Sequence, residues 1–250
     1  MAVIRSRLAA LAVWPLLPVL AAQGYYLRRR VPRLPDASGP QEGLIGAGAE
    51  TPLRLIVLGD STVAGIGAAT HEEALTGQVA VHLRRHLERP IAWRALGCSG
   101  ATAETACKIL VPQLENAQAD ILVVSLGVND TIKLHSPTRW RRNLARLLTL
   151  AHEALGPVPV VVSGVPPIEH FPALPQPLRF AFSLRAAALD QAGAALLATW
   201  PHSAHVRFQG ADQVAGFFAA DGFHPGPVGY NIIGAALAEQ AAQLITRPTG

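Results

Sequence analysis

Asp120-Ile121-Leu122-Val123-Val124-Ser125-Leu126-Gly127-Val128-Asn129-Asp130 is the stretch on which the fold turns. Asp120–Leu126 is a short run, apolar at most positions and closed by Gly127. That length and continuity predict a strand buried on both faces, the pattern of a parallel sheet covered by helices. Two polar side chains, Asn129 and Asp130, follow at its carboxyl end.

The pattern repeats outward from there. Upstream, Leu53–Leu58 is a second apolar run and ends in Gly59-Asp60-Ser61, Glu73–Leu87 carries apolar residues at helical spacing, Ile91–Leu96 reads as a strand, and Ala103–Leu114 reads as a helix broken or restarted near Pro112. Downstream come an amphipathic helix at Pro137–Leu155, a strand at Val158–Val162 and a proline-rich stretch at Gly164–Arg179. An alanine-rich helix at Ser183–Trp200, a short strand at His205–Phe208 and a helix at Pro227–Ile245 complete the chain. Pro227 falls in a first helical turn, where a missing N–H does no harm. Five strands alternating with five helices predict an α/β domain whose parallel five-stranded sheet is covered on both faces. In such sheets a site lies beyond the carboxyl ends of the strands. Ser61, Gly100 and Asn129 follow the first, second and third strands, so all three converge there.

A serine hydroxyl is a poor nucleophile at neutral pH and needs a general base, which in turn needs an orienting group. Asp221-Gly222-Phe223-His224-Pro225 supplies both, with Asp221 three residues before His224. An irregular turn there sets carboxylate and imidazole on one side. The oxyanion of acyl transfer needs fixed donors. The backbone N–H groups of Ser61 and Gly100 and the side-chain amide of Asn129 qualify.

These clusters resemble the blocks of the SGNH (GDSL-type) hydrolases. Gly59-Asp60-Ser61 is similar to the first block, Ser99-Gly100 to the second, Gly127-Val128-Asn129-Asp130 to the third and Asp221-Gly222-Phe223-His224-Pro225 to the fifth. All four stand in family order across Leu53–Ile245. The resemblance implies a three-layer, flavodoxin-like α/β/α sandwich with a shallow, open site. It implies Ser61 as nucleophile, His224 as base and then acid, Asp221 as its orienter, and Ser61, Gly100 and Asn129 as the oxyanion hole. The nearest types are small bacterial arylesterases, lysophospholipases and acyl-thioesterases, and no metal or organic cofactor is implied. In many such enzymes an Asn stands a few residues before the glycine of the second block; here the stretch is Trp93-Arg94-Ala95-Leu96-Gly97.

The charge balance places the chain's basicity. Its net charge is +4, yet residues 1–33 hold six arginines and no acid, which leaves 15 basic against 17 acidic residues elsewhere. A domain at −2 is not a nucleic-acid binder, and a basic arm suits a membrane surface. Leu8–Leu27 is a run of 20 residues without a formal charge, preceded by Arg5 and Arg7 and followed by Arg28, Arg29 and Arg30. That length suits a membrane span. Residues 1–30 therefore read as an uncleaved anchor in a bacterial inner membrane with the domain facing the periplasm. A signal segment cut near Ala21 and Ala22, giving a secreted or periplasmic protein, is the rival. Residues 31–52, with Pro32, Pro35, Pro40 and Pro52, read as a linker before the hydrolase domain at 53–250. The sequence sets no oligomeric state.

Other features take structural readings. Cys98 and Cys107 read as unpaired thiols rather than a disulfide framework. Ser99 lacks the last glycine of a G-x-S-x-G elbow. His82 and His86 stand at i, i+4 spacing but lack a third ligand, and read as a solvated helix face. Arg139, Arg141, Arg142 and Arg146 read the same way. Asp130 reads as structural. Phe171, Phe180, Phe182, Phe217, Phe218 and Phe223 are candidates for an acyl pocket, Phe223 first among them. The expected activity is hydrolysis of short- to medium-chain carboxylic esters, thioesters or lysophospholipids through an acyl-serine intermediate. A carbohydrate O-acetyl esterase or transacylase of the cell envelope is the alternative, and a non-catalytic binding domain on the same fold the third reading.

Overall fold

A computed structural model describes residues 17–30, 32–208, 210 and 213–247. The chain enters through α1 (Leu17–Arg30) and β1 (Glu42–Ile45), then β2 (Leu53–Gly59), α2 (Leu75–Leu87), β3 (Ile91–Gly97) and α3 (Ala103–Ile109). After one 3-10 turn at Val111–Leu114 come β4 (Ile121–Ser125), α4 (Val128–Ile132), α5 (Pro137–Leu155) and β5 (Val160–Ser163). A second 3-10 turn at Ile168–His170 leads to α6 (Leu178–Leu197), β6 (Ser203–Val206) and α7 (Pro227–Thr246). The six strands form one sheet in the order β1-β3-β2-β4-β5-β6. All neighbours are parallel except β1 and β3. The expected five parallel strands are present, and an antiparallel edge strand joins them.

That edge strand lies inside the stretch expected to be an irregular linker. Four alternating residues suffice, because β3 offers its free edge and Trp93 lies against Gly43, where a side chain would collide with the indole. Proline and glycine content masked so short a strand.

Alternation along the strands builds two cores. Leu53, Leu55, Val57, Ile121, Val123 and Val161 face α2 and α7, which bury Leu75, Val79, Leu83, Leu237 and Ala241 against them. Ile56, Leu58, Leu122, Val124, Val160 and Val162 face α3, α5 and α6, with Ala106, Leu144, Leu148 and Leu189. A strand buried on both faces thus needs apolar residues at every position, which is why these runs do not alternate in polarity. Arg54 and Asp120 tie the starts of β2 and β4, with Nη2 to Oδ1 at 2.6 Å and the Arg54 N–H to Oδ2 at 2.7 Å. The guanidinium holds the Asp120 carboxyl below the usual range.

At the N-terminus, α1 covers the second half of the expected Leu8–Leu27 span, and residues 8–16 lie outside the described residues. No helix among the described residues is long and apolar enough to cross a membrane. Gln23 docks α1 on the rest of the domain: its Nε2 donates to the Gln176 carbonyl at 2.7 Å and its Oε1 accepts from the Leu178 N–H at 3.2 Å.

Candidate active site

The strand registers set where the site forms. Gly59 pairs with Gly97 on one side and with Ser125 on the other, so β2, β3 and β4 end level with one another. The loops carrying Ser61, Gly100 and Asn129 therefore leave the sheet side by side. Gly59 is required at this point, because a Cβ would collide with the Ser125 carbonyl oxygen. Beyond it the chain turns tightly: the Asp60 carbonyl accepts from the N–H groups of Val63 and Ala64 at 3.1 and 3.0 Å.

Ser61 ends within reach of the loop that precedes α7. Its Oγ lies 3.0 Å from His224 Nε2, and His224 Nδ1 lies 2.6 Å from Asp221 Oδ2. The carboxylate can only accept, so Nδ1 carries a proton and Nε2 is left to accept from the serine hydroxyl. Asp221 is itself held: Oδ1 accepts the N–H groups of Phe223 at 2.9 Å and His224 at 3.0 Å. Burial works to raise its pKa, but the hydrogen bonds from the imidazole and these two N–H groups outweigh it, and the carboxyl sits below its usual value. The carboxylate stays charged beside the imidazole, where it stabilises an imidazolium.

Asn129 lies in the first turn of α4, and its Nδ2 donates to Asp60 Oδ2 at 3.0 Å. That bond fixes the orientation of the amide and leaves its second N–H for another acceptor. Asp60 also takes the Thr62 N–H and hydroxyl on Oδ1, each at 3.1 Å, and Thr62 Oγ1 lies 3.0 Å from Ser125 Oγ. Burial pushes the Asp60 carboxyl up to about 6, against the opposing pull of these donors. Gly100 sits at φ +81°, a conformation that favours glycine, in a loop tied back to β2 by the Cys98 N–H on the Gly59 carbonyl at 3.0 Å. Among the described residues, the N–H groups of Ser61 and Gly100 have no protein acceptor.

All five expected site residues thus gather at one end of the sheet, with Ser61, His224 and Asp221 in a single hydrogen-bonded line. Asp130 is structural, its carboxylate meeting His135 Nδ1 at 2.7 Å and the Ala103 N–H at 3.0 Å. The sequence reading did not single out Asp60, Thr62 or Ser125 for roles of their own. A polar residue closing an otherwise apolar strand is the signal that marks Ser125.

Behind Ser61 and His224 a cavity runs into the body between the ends of β4 and β5. Phe171, Phe208, Phe217, Phe218 and Phe223 give it aromatic walls, and Asp60, Thr62, Ser125 and Ser163 join Ser61 and His224 as its polar residues. Phe171 meets Phe218 and Phe223 edge to face at centroid distances of 5.2 and 5.3 Å, and Phe223 meets His224 at 5.1 Å. Phe180 is exposed and Phe182 packs on the core, so neither lines the cavity, while Phe208 joins it from beyond β6. Cys98 and Cys107 are both free thiols. His82 approaches Asn231, and no group of three metal-ligating side chains occurs among the described residues.

Comparison with known proteins follows the same lines. A GDSL-like esterase of Mycobacterium tuberculosis is 26% identical over 230 residues, 85% of this chain and 72% of that protein. Among solved structures, the inhibitor-bound aryl esterase of M. smegmatis superposes with a TM-score of 0.59 at 20% identity, covering 77% of this chain and 99% of that one. A carbohydrate acetylesterase from Sinorhizobium meliloti gives 0.58 at 18% identity, again over 77% of this chain and 99% of that one. At such identities the structural likeness speaks for the fold. The family model of GDSL-like lipases and acylhydrolases matches residues 57–232, a span that begins within β2, ends within α7 and takes in Ser61, Gly100, Asn129, Asp221 and His224. Most of the chain is covered by that match, and it belongs to the GDSL-like lipase/acylhydrolase family.

Proposed function

We propose that this carboxylic ester hydrolase works through an acyl-Ser61 intermediate, with His224 as base and acid, Asp221 as its orienter, and Ser61 N–H, Gly100 N–H and the Asn129 amide as oxyanion donors. The carrying observation is His224 Nε2 at 3.0 Å from Ser61 Oγ with Asp221 on the ring's other nitrogen. Ser61 Oγ attacks the ester carbonyl carbon while its proton passes to Nε2. The carbonyl π electrons move to oxygen, and the oxyanion is met by preorganised donors. Collapse expels the alcohol, which takes the proton from Nε2. Water repeats the sequence on the acyl-serine, giving a carboxylic acid and free Ser61.

The cavity supports a short- to medium-chain acyl group, since it opens beside the nucleophile and its wall is mostly apolar and aromatic. Hydrolysis of p-nitrophenyl acetate, butyrate, octanoate and palmitate by wild type and Ser61→Ala tests both parts. Activity lost in Ser61→Ala and best on butyrate or octanoate is the expected result. A sharp preference for acetate, with turnover of acetylated glycans, overturns the acyl-chain reading. Equal rates in both proteins overturn the serine mechanism.

Membrane association belongs to the same reading. The 20-residue uncharged run Leu8–Leu27 between arginine clusters supports an inner-membrane anchor with the domain in the periplasm. Carbonate-resistant pelleting with membranes, and digestion by protease added outside spheroplasts, are expected; release by carbonate removes the anchor, and protection from protease reverses the orientation.

A further inference from the structure

Residues 35–38, outside the family match, lie across two loops of the site at once. The Ala37 N–H donates to the Ala64 carbonyl at 2.9 Å, and the Ser38 N–H and hydroxyl both donate to the Ala69 carbonyl, at 3.0 and 2.7 Å. The His71 N–H returns a bond to the Ser38 carbonyl at 3.3 Å. Residues 64–71 are the continuation of the loop that carries Ser61. One residue before Ala37, Asp36 Oδ1 accepts from Ser99 Oγ at 2.8 Å. Ser99 directly precedes Gly100, so the strap joins the nucleophile's loop to the loop bearing the second oxyanion donor.

Backbone bonds brace the ends of that loop, Cys98 N–H on the Gly59 carbonyl and Ala101 N–H on the Cys98 carbonyl, each at 3.0 Å, but its tip has fewer restraints. Gly100 is exposed, and a Cβ built on it would meet no atom within 4 Å, so packing does not fix it. The strand before it, Trp93-Arg94-Ala95-Leu96-Gly97, offers no short polar side chain. Lys133 Nζ on the Gly100 carbonyl, at 3.0 Å, is the second side-chain tether. Rotation of the Gly100 peptide by a few tens of degrees turns its N–H away from a developing oxyanion, and such donors act only when aimed in advance.

We infer that Asp36 is a positioning residue: through Ser99 it holds the Gly100 N–H in the direction that oxyanion stabilisation requires, so the N-terminal extension is part of the esterase machinery. This rests on the acyl-serine reading above. Asp36 touches no reacting atom, so its removal should lower turnover without changing the fit of the acyl chain.

The test uses the full-length chain in detergent, with kcat and KM on p-nitrophenyl butyrate and octanoate and the rate of Ser61 labelling by a fluorophosphonate. Losing one charge-assisted bond that aims one donor should cost part of the donor's value, roughly 5- to 10-fold in kcat. Asp36→Ala should show that loss equally on both esters, with KM within about twofold and labelling slowed in proportion. Asp36→Asn, which still accepts from Ser99, should recover most of it. Ser99→Ala removes the same bond while leaving the strap intact; it should match Asp36→Ala, and the double variant should lose no more. Unchanged kcat in Asp36→Ala, an Asn variant as slow as Ala, or additive losses each overturn the proposal. A wild type that neither turns over esters nor takes the label overturns the acyl-serine reading instead, and that outcome is seen before any variant is compared.

Discussion

Asp60 shows how one side chain beside Ser61 ties charge to geometry. Its buried carboxylate holds the Asn129 amide at 3.0 Å and the turn at Thr62, and it keeps these bonds despite burial that pushes its pKa up to about 6. In the proposed mechanism Asn129→Ala leaves one oxyanion donor fewer, so kcat should fall by about 10²–10³ with KM little changed; steady-state kinetics check this, and a rise in KM at constant kcat would place Asn129 in ground-state binding instead. The titration of Asp60 has a definite sign for stability. An unfolded carboxyl titrates near about 4, so between that value and the folded value the native state binds more protons. The contribution is fully present below the unfolded pKa and is lost as pH rises through about 6. Asp60→Asn has no such titration. Its unfolding free energy relative to wild type should therefore shift in the variant's favour between about pH 4 and about pH 7, by up to about 3 kcal/mol. Urea unfolding at the two pH values measures the shift, and a difference that stays constant removes the buried charge from the account. Asp221 has the opposite sign, since its depressed pKa stabilises the fold above the ordinary carboxylate range and is lost only in stronger acid. Asp221→Asn also lets the ring present the wrong nitrogen to Ser61, so kcat should drop by on the order of 10⁴.

At the scale of elements, helices and strands position the site while loops make it. Ser136 caps α5 by accepting the Arg139 N–H at 3.2 Å, and Pro137 occupies the first turn. Ser136→Ala should cost about 1 kcal/mol of stability and leave kcat unchanged, because the bonds Ser136 makes stay within α5; chemical denaturation beside kinetics separates the two. Phe171 behaves differently. It is 5% exposed and is both core and cavity wall. Phe171→Ala should cost about 3–5 kcal/mol and move the preferred ester towards longer chains; an unchanged chain-length profile would place the acyl group elsewhere. The same division explains what the sequence disclosed. The strands Leu53–Gly59 and Ile121–Ser125 were legible because burial on both faces demands unbroken apolar runs, and α5 matched its expected bounds because Ser136, Pro137 and Gly156 punctuate it. Gly164–Arg179 carries no period, and α6 starts at Leu178, five residues before the helix expected from Ser183. The grouping of Ser61, His224 and Asp221 in one hydrogen-bonded line was legible from motif order. The Asp60–Asn129 and Asp36–Ser99 bonds were not, because they join residues far apart in the chain through side chains that carry no local pattern.

For the whole molecule, the question is where the working unit begins. The family match starts at residue 57, yet the sheet begins at Glu42. The Ala95 N–H donates to the Gln41 carbonyl at 2.7 Å, and β1 covers the β3 edge and Trp93, which is 3% exposed. A chain starting at Leu34 keeps β1 and the strap and loses the segment that includes α1, with its bonds through Gln23 and the packing of Leu20 on the core. A chain starting at Glu50 loses β1 and the strap together. Uncovering Trp93 and an unpaired parallel edge both removes buried apolar area and leaves a strand open to pairing with other chains. The Leu34 chain should therefore stay monodisperse with the Tm and kcat of the full-length protein to within a few degrees and about twofold. The Glu50 chain should melt lower, tend to aggregate and turn over esters more slowly even in its soluble fraction. Size-exclusion chromatography, thermal melts and kinetics on the two truncations decide it. A Glu50 chain as stable and as active as the Leu34 chain would confine the enzyme to the matched span and make residues 34–49 a tether after all.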